Sequence, residues 1–131
     1  MPRFFTVEEA NALLPQLRPL LGDLQELRRQ RETAQREFDS LTPPESSNGH
    51  ARDPRAIRVK SREVAQLDRR FEQALRAVLG LGCEIKDVER GLIDFPAQRE
   101  GREIYLCWIP GEPEVGWWHD VETGFQGRQR L

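Results

Sequence analysis

Apolar residues recur about every three and a half positions as far as Gly82 and at every second position beyond it. That change of rhythm divides the chain into a helical half and a β half. In the first half Val7, Ala10, Leu14, Leu17, Leu21 and Leu24 make one stripe, broadened by Leu13, Leu20 and Leu27. Thr6-Val7-Glu8-Glu9 at its start has the form of a capping box, in which Thr6 and Glu9 satisfy each other's backbone amides. Pro15 and Pro19 lie inside the stripe. Each removes an amide donor and crowds the preceding turn, so a kink or a short first helix is predicted there. Residues 28–37 keep helix-forming composition, but only Ala34, Phe38 and Leu41 carry the stripe onward.

Residues 42–53, TPPESSNGHARD, read as a loop. Asp53 and Pro54 then suit an N-cap and a first helical position. Ile57, Val64, Leu67, Phe71, Ala74, Val78 and Leu81 follow at near-heptad spacing, and the glycines at 80 and 82 mark the stop. Two matching stripes with a short link predict an antiparallel, coiled-coil-like helical hairpin with arms of roughly 40–50 Å.

Past Gly82 the alternation predicts strands at about 83–87, 92–95, 103–109 and 115–119. ERG, 89–91, reads as a tight turn, PAQREG, 96–101, as a wider one, and PGEPE, 110–114, as irregular. None of these links could hold a parallel crossover, so the strands should form an antiparallel meander. The predicted fold class is α+β: a long antiparallel helical hairpin followed by a small sheet of three to four strands packed at its base. Residues 1–131 are read as one domain, with the hairpin over 1–82, a loop near 42–53, and sheet and tail over 83–131. The tail, ETGFQGRQRL, is expected across the sheet edge or hanging free.

Composition narrows the function classes. With 37% hydrophobic and 32% charged residues and a mean hydropathy of −0.69, the chain suits an elongated shape with much solvated helix surface. No apolar run approaches the roughly 18–20 residues of a membrane helix, and MPRFFTVEEA lacks the apolar core of a signal peptide. Two cysteines make no disulfide framework, so a reducing cytoplasm is the expected location. Residues 1–82 hold 14 Lys/Arg against 12 Asp/Glu, and residues 83–131 hold 6 against 10. Neither half is basic enough to indicate nucleic acid by charge alone.

The stretch LCWIPGEPEVGWWHD, 106–120, contains all three tryptophans. Alternation puts Ile104, Leu106 and Trp108 on the core face of the third strand and Tyr105 and Cys107 on the other. Trp117 and Trp118 are adjacent and must face opposite ways. One helical layer can cover only one of them. The other needs the tail, with Phe125, or a second subunit. Tyr105, Trp117, Trp118 and Phe125 are therefore candidate interface residues of a dimer, or of a complex with a protein partner.

Asp94, Glu112 and His119 fall where one rim of a small sheet could gather them. A carboxylate and imidazole set suits Zn, Mn or Fe better than Ca. No CxxC, HxxxH or ExxH spacing accompanies them, and Arg99, Arg102 and Arg128 could neutralise such carboxylates instead. Glu84-Ile85-Lys86 with Asp87 and Asp94 has the residue types of metal-dependent nucleases, although Asp94 follows the E-x-K strand. A Lys86–Asp94 ion pair is the simpler reading. Cys107 and His119 could form a nucleophilic couple, but buried, reduced cysteine is the commoner fate of Cys83 and Cys107. His50 is expected exposed in its loop. Arg52, Arg55, Arg58, Lys60 and Arg62 form a candidate basic patch at the far end of the hairpin, where residues 28–63 carry 9 Lys/Arg and 6 Asp/Glu. Interleaved acids and the lack of aromatic stacking residues favour ion pairs such as Glu32 with Arg36 over nucleic acid.

FTVEEANALLPQLRPLL, GCEIKD, GLIDFPA, GREIYLCW, GE, WH and GFQGR together resemble an uncharacterised bacterial family, domain of unknown function 2203. The likeness runs from Phe5 to Arg128 outside the 42–53 loop. It implies a small bacterial cytoplasmic protein and supplies no catalytic residues. The leading expectation is thus a non-enzymatic binding or scaffolding module that self-associates. The alternative is a metal-dependent, hydrolase-like enzyme at Asp94, Glu112 and His119, and the third is nucleic-acid binding through the basic patch.

Overall fold

The computed structural model describes residues 3–42 and 53–131. Helix α1 spans Val7–Leu41 and α2 spans Pro54–Leu79. Five strands follow: β1 Glu84–Asp87, β2 Leu92–Arg99, β3 Arg102–Trp108, β4 Trp117–Asp120 and β5 Gln129–Arg130. They form one antiparallel sheet in the order β1-β2-β3-β4-β5, so each strand pairs only with its sequence neighbours.

The capping box forms as expected: the Glu9 amide donates to Thr6 Oγ1 at 3.1 Å and the Thr6 amide to Glu9 Oε1 at 3.0 Å. The expected break at the prolines does not occur, and α1 runs through Pro15 and Pro19 as one helix. Both prolines are exposed, one turn apart, on the side opposite the buried Leu14, Leu17 and Leu21. The backbone acceptors they leave unpaired, at Asn11 and Pro15, therefore lie toward water, where solvent satisfies them. Asp53 caps α2 through the amides of Arg55 and Ala56, and Gly80 closes it.

The second strand is longer than its sequence suggests. Pro96 lies within β2 opposite Tyr105, and the turn is only Glu100–Gly101. Pro96 has no amide to donate, but its carbonyl points away from β3, where it accepts from the Phe5 amide at 2.7 Å. A missing donor on that edge leaves the β2–β3 ladder whole. Glu100 and Gly101 both take positive φ, 51° and 81°, as a two-residue hairpin turn requires. The tail lies on the sheet edge, one of its two expected courses, and does not hang free. A 3-10 turn at Phe125–Gly127 returns it to pair with β4 as β5, which makes five strands rather than four.

The core lies between α1 and the inner face of the sheet. Ile93, Phe95, Ile104, Leu106, Trp108 and Trp118 pack there with Leu14, Leu17, Leu21 and Leu24, while α2 adds buried Val78. Phe5 meets Phe95 edge-on at 5.3 Å between ring centres. Polar ties fix α1 on the sheet: Val115 N donates to Asn11 Oδ1 at 2.7 Å, and Arg18 to the Pro113 carbonyl at 2.9 Å. Beyond the sheet, among the described residues, the helices have only each other. Ala34 and Leu67 are buried there, and Lys60–Glu37 at 3.5 Å and Arg31–Asp68 bridge the arms.

Candidate functional site on the outer sheet face

The strand register that sends Ile93, Leu106 and Trp118 inward sends their neighbours outward. Asp94 stands directly across from Cys107, and Cys107 from Trp117, while His119 pairs with Tyr105 one step along. Asp94, Cys107 and His119 thus form a row across β2, β3 and β4, with one ligand-type atom from each within 4.8 Å of the others. Among the described residues no other set of three such side chains converges in this way. They are buried although they are polar: Asp94 and His119 are each 1% exposed. His119 Nε2 is 3.0 Å from both carboxylate oxygens of Asp94, and its Nδ1 is 2.8 Å from the Asp120 carbonyl.

Asp94 and His119 from the sequence-derived metal set therefore meet, and Glu112 does not join them. Its carboxylate is used inside its own turn, accepting from the Ile109 amide at 2.9 Å and pairing with Arg128 at 3.1 Å. The Glu112 carbonyl takes the Trp108 indole N–H at 2.9 Å. The third member is Cys107, whose outward position was legible in the alternation but whose proximity to Asp94 depended on a register only the folded sheet supplies.

Charge and burial act together here. Burial raises the Asp94 carboxyl above its ordinary range, opposed by His119 and Lys86. Burial, then the nearby Asp94 charge, pushes the Cys107 thiol up to about 11, opposed by the Arg128 guanidinium that reaches it. As it stands this thiol is a poor nucleophile at neutral pH. Cys83 is likewise pushed up to about 11 by burial, and sits within the hydrophobic core.

Lys86 pairs with Glu84 at 2.8 Å rather than with Asp94. The Tyr105 hydroxyl donates to the other Glu84 oxygen at 3.0 Å, and the Lys86 ammonium lies 4.5 Å from the Tyr105 ring centre. The lysine and tyrosine stand over the buried row, on the wall of a groove of about 390 Å³. Asp87, Arg90, Leu92, Val121, Glu122, Thr123, Gly124 and Phe125 complete the walls, and Asp94 and His119, both buried, also line it. A larger depression of about 480 Å³ lies on the hairpin between Arg29, Glu37, Glu63 and Arg70, but only Leu67 among its lining residues is buried.

The remaining candidates scatter. Trp118 faces the core and is 5% exposed; Arg99 stacks on it at 4.5 Å. Trp117 is half-buried on the outer face, and Arg128 and Arg130 cover it at 4.4 and 5.4 Å. Arg128 also lies 4.4 Å from the Phe125 ring. The cover that two adjacent tryptophans demanded thus includes the chain's own tail. In the basic patch Lys60 is held by Glu37 and Glu63, Arg55, Arg58 and Arg62 are exposed, and Arg52 and His50 lie outside the described residues. Glu32 pairs with Arg28 instead of Arg36.

A capped two-helix hairpin laid on a five-stranded meander defines the class: an α+β protein whose polar residues gather on the outer sheet face. Residues 3–131 match the family described as "Uncharacterized conserved protein (DUF2203)", and the chain belongs to it. No curated protein and no solved structure matches the chain. Among the described residues no helix is long and apolar enough to cross a membrane.

Proposed function

We propose that the protein is a binding module whose working surface is the outer face of the sheet, with the inner face and the hairpin as its scaffold. The observation that carries this reading is the burial, to 1% exposure, of Asp94 and His119 in the lining of a groove. Burying ionisable groups costs free energy that apolar residues would not cost, and such groups concentrate at functional sites. The groove walls carry two cations, Lys86 and Arg90, and two acids, Asp87 and Glu122, beside Leu92, Tyr105, Val121 and Phe125. Lys86 is paired with Glu84, so an anionic head would be met by Arg90, with an apolar body against Leu92, Val121 and Phe125. The high thiol pKa of Cys107 favours binding over covalent catalysis.

Amide chemical shifts test this with benzoate and phenyl phosphate as probes. Shifts should cluster at Leu92, Tyr105, His119, Thr123 and Phe125, and benzylamine should produce none. Shifts confined to Arg29, Thr33 and Arg70 would move the working surface to the hairpin and overturn the reading.

Self-association is a second reading, favoured by one observation. Among the described residues the stripe of α2 is incompletely covered, with Ile57, Val64 and Phe71 half-buried; off the stripe, Val59 and Leu79 are 58% and 43% exposed. Pairing of two hairpins would extend the seam into a four-helix arrangement. Light scattering should then report a dimer that Val64→Glu dissociates, and a wild-type monomer at tens of micromolar would dispose of it.

A further inference from the structure

The clearest anomaly in the buried row is the hydrogen bonding of one ring. His119 Nδ1 lies 2.8 Å from the Asp120 carbonyl, which also receives the Thr123 amide and hydroxyl, each at 3.2 Å. A carbonyl can only accept, so Nδ1 carries its hydrogen. In the neutral ring Nε2 then presents a bare lone pair, yet it faces the carboxylate of Asp94, a second acceptor. Something positive belongs between them. A proton on Nε2 would be split between two oxygens at equal 3.0 Å, a weaker arrangement than a bond aimed at one, whereas a metal ion can serve nitrogen and carboxylate together. Histidines that bind metal through one nitrogen almost always donate the other N–H to a carbonyl or carboxylate, as His119 does.

The geometry points to a transition-metal site in which Asp94, Cys107 and His119 are three protein ligands and the fourth position opens on the groove. This inference rests on the outer-face reading above and names one ligand of that face. Ligand atoms bound at about 2.0–2.3 Å in a tetrahedron stand roughly 3.3–3.7 Å apart. The 3.0 Å separation of Nε2 from the Asp94 oxygens and the 4.8 Å limit on the group need only a small adjustment to reach that spacing. All three ligands come from paired strands rather than loops, so the site is held before any ion arrives.

The donor set selects among metals. A thiolate beside imidazole and carboxylate suits Zn²⁺, Co²⁺ or Fe²⁺, and disfavours Mg²⁺ and Ca²⁺, which prefer oxygen throughout. Zinc is the first expectation. Binding displaces the Cys107 proton to solvent and places thiolate, carboxylate and neutral imidazole on the ion. Arg128, whose charge favours the Cys107 thiolate, would then offset the charge of the bound sulfur, with Glu112 holding the arginine in place. Glu112 is thereby a positioning residue and not a ligand.

Cobalt titration of the chelator-treated full chain tests the site. One equivalent of Co²⁺ should give visible d–d bands of tetrahedral intensity and a near-ultraviolet thiolate-to-cobalt charge-transfer band, and one equivalent of Zn²⁺ should erase both. Cys107→Ser should remove the charge-transfer band, while Glu112→Gln should retain it with affinity lowered by about tenfold, as for a supporting residue. No cobalt binding, or binding without the charge-transfer band, overturns the proposal, as does a band that survives in Cys107→Ser. If Cys107→Ser does not fold by circular dichroism, imidazole ¹⁵N resonances of the wild-type protein decide. Saturating Zn²⁺ should shift Nε2 of His119 and leave Nδ1 protonated, and an unmoved Nε2 overturns the assignment. The benzoate shifts are read on metal-free protein. A failed metal site with those shifts intact leaves the groove reading standing, and loss of both removes the outer face altogether.

Discussion

The two faces of one sheet handle burial in opposite ways. The inner face buries Ile93, Phe95, Ile104, Leu106, Trp108 and Trp118 under α1, and side-chain volume holds it together. The outer face, on alternate residues of the same strands, buries Asp94, Cys107 and His119 and holds them through hydrogen bonds and charge. Inner-face burial explains why the protein is folded. Outer-face burial opposes stability unless every polar atom is matched: each buried side-chain nitrogen and oxygen among the described residues has a neighbour, and for His119 and Asp94 the match needs a proton or an ion between them. On the reading proposed above, that second face is shaped by what it binds.

Substitutions can break that contrast. The largest loss should come from the inner face: Trp108→Ala removes a large, 1% exposed side chain and should lower unfolding free energy by about 3–5 kcal/mol, read by denaturant melts. On the outer face His119→Ala in metal-free protein leaves the Asp94 carboxylate buried without its partner and should cost about 3 kcal/mol. A cost under about 0.5 kcal/mol would show that the pair is not coupled. Gly91→Ala probes the joint between the faces. Gly91 has φ of 72°, and a Cβ there would sit 2.7 Å from the Pro110 ring, so about 2 kcal/mol should be lost in a thermal melt. Thr6→Ala, which opens the capping box, should cost about 1 kcal/mol. The smallest effect is the most diagnostic. Asp94→Leu with His119→Leu should leave metal-free stability within about 1 kcal/mol of wild type or above it, because apolar residues replace a buried ion pair at no net loss. A large loss in that double variant would make the pair structural and erase the contrast.

Sequence disclosed the inner face of β3, because alternation of apolar residues is a direct record of a buried sheet surface, but it left open which of Trp117 and Trp118 faces inward. Ile104, Leu106 and Trp108 were placed on the core side by period alone. The capping box and the Asp53–Pro54 restart were equally legible, since each depends on neighbours three residues apart or fewer. What sequence hid required knowledge of a second strand. Pro96 reads as a strand breaker until its carbonyl is seen to face Phe5 rather than β3. Glu112 has the chemistry of a ligand, but Arg128, far along the chain, claims it. Cys107 reads as an inert buried thiol until the register sets it opposite Asp94. The two residues of β5 are too few to leave a periodic trace.

The uncrossed strand order also bears on how quickly the protein reaches this structure. Each strand closes onto its predecessor through a short link, so the meander can zip from neighbour to neighbour at little entropic cost. The helical hairpin is local in the same sense. The distant requirements are the clasps between α1 and the sheet: Arg18 to Pro113, 95 positions apart, and Asn11 to Val115, 104 apart. These are the pairings whose loop-closure entropy weighs most on the folding rate.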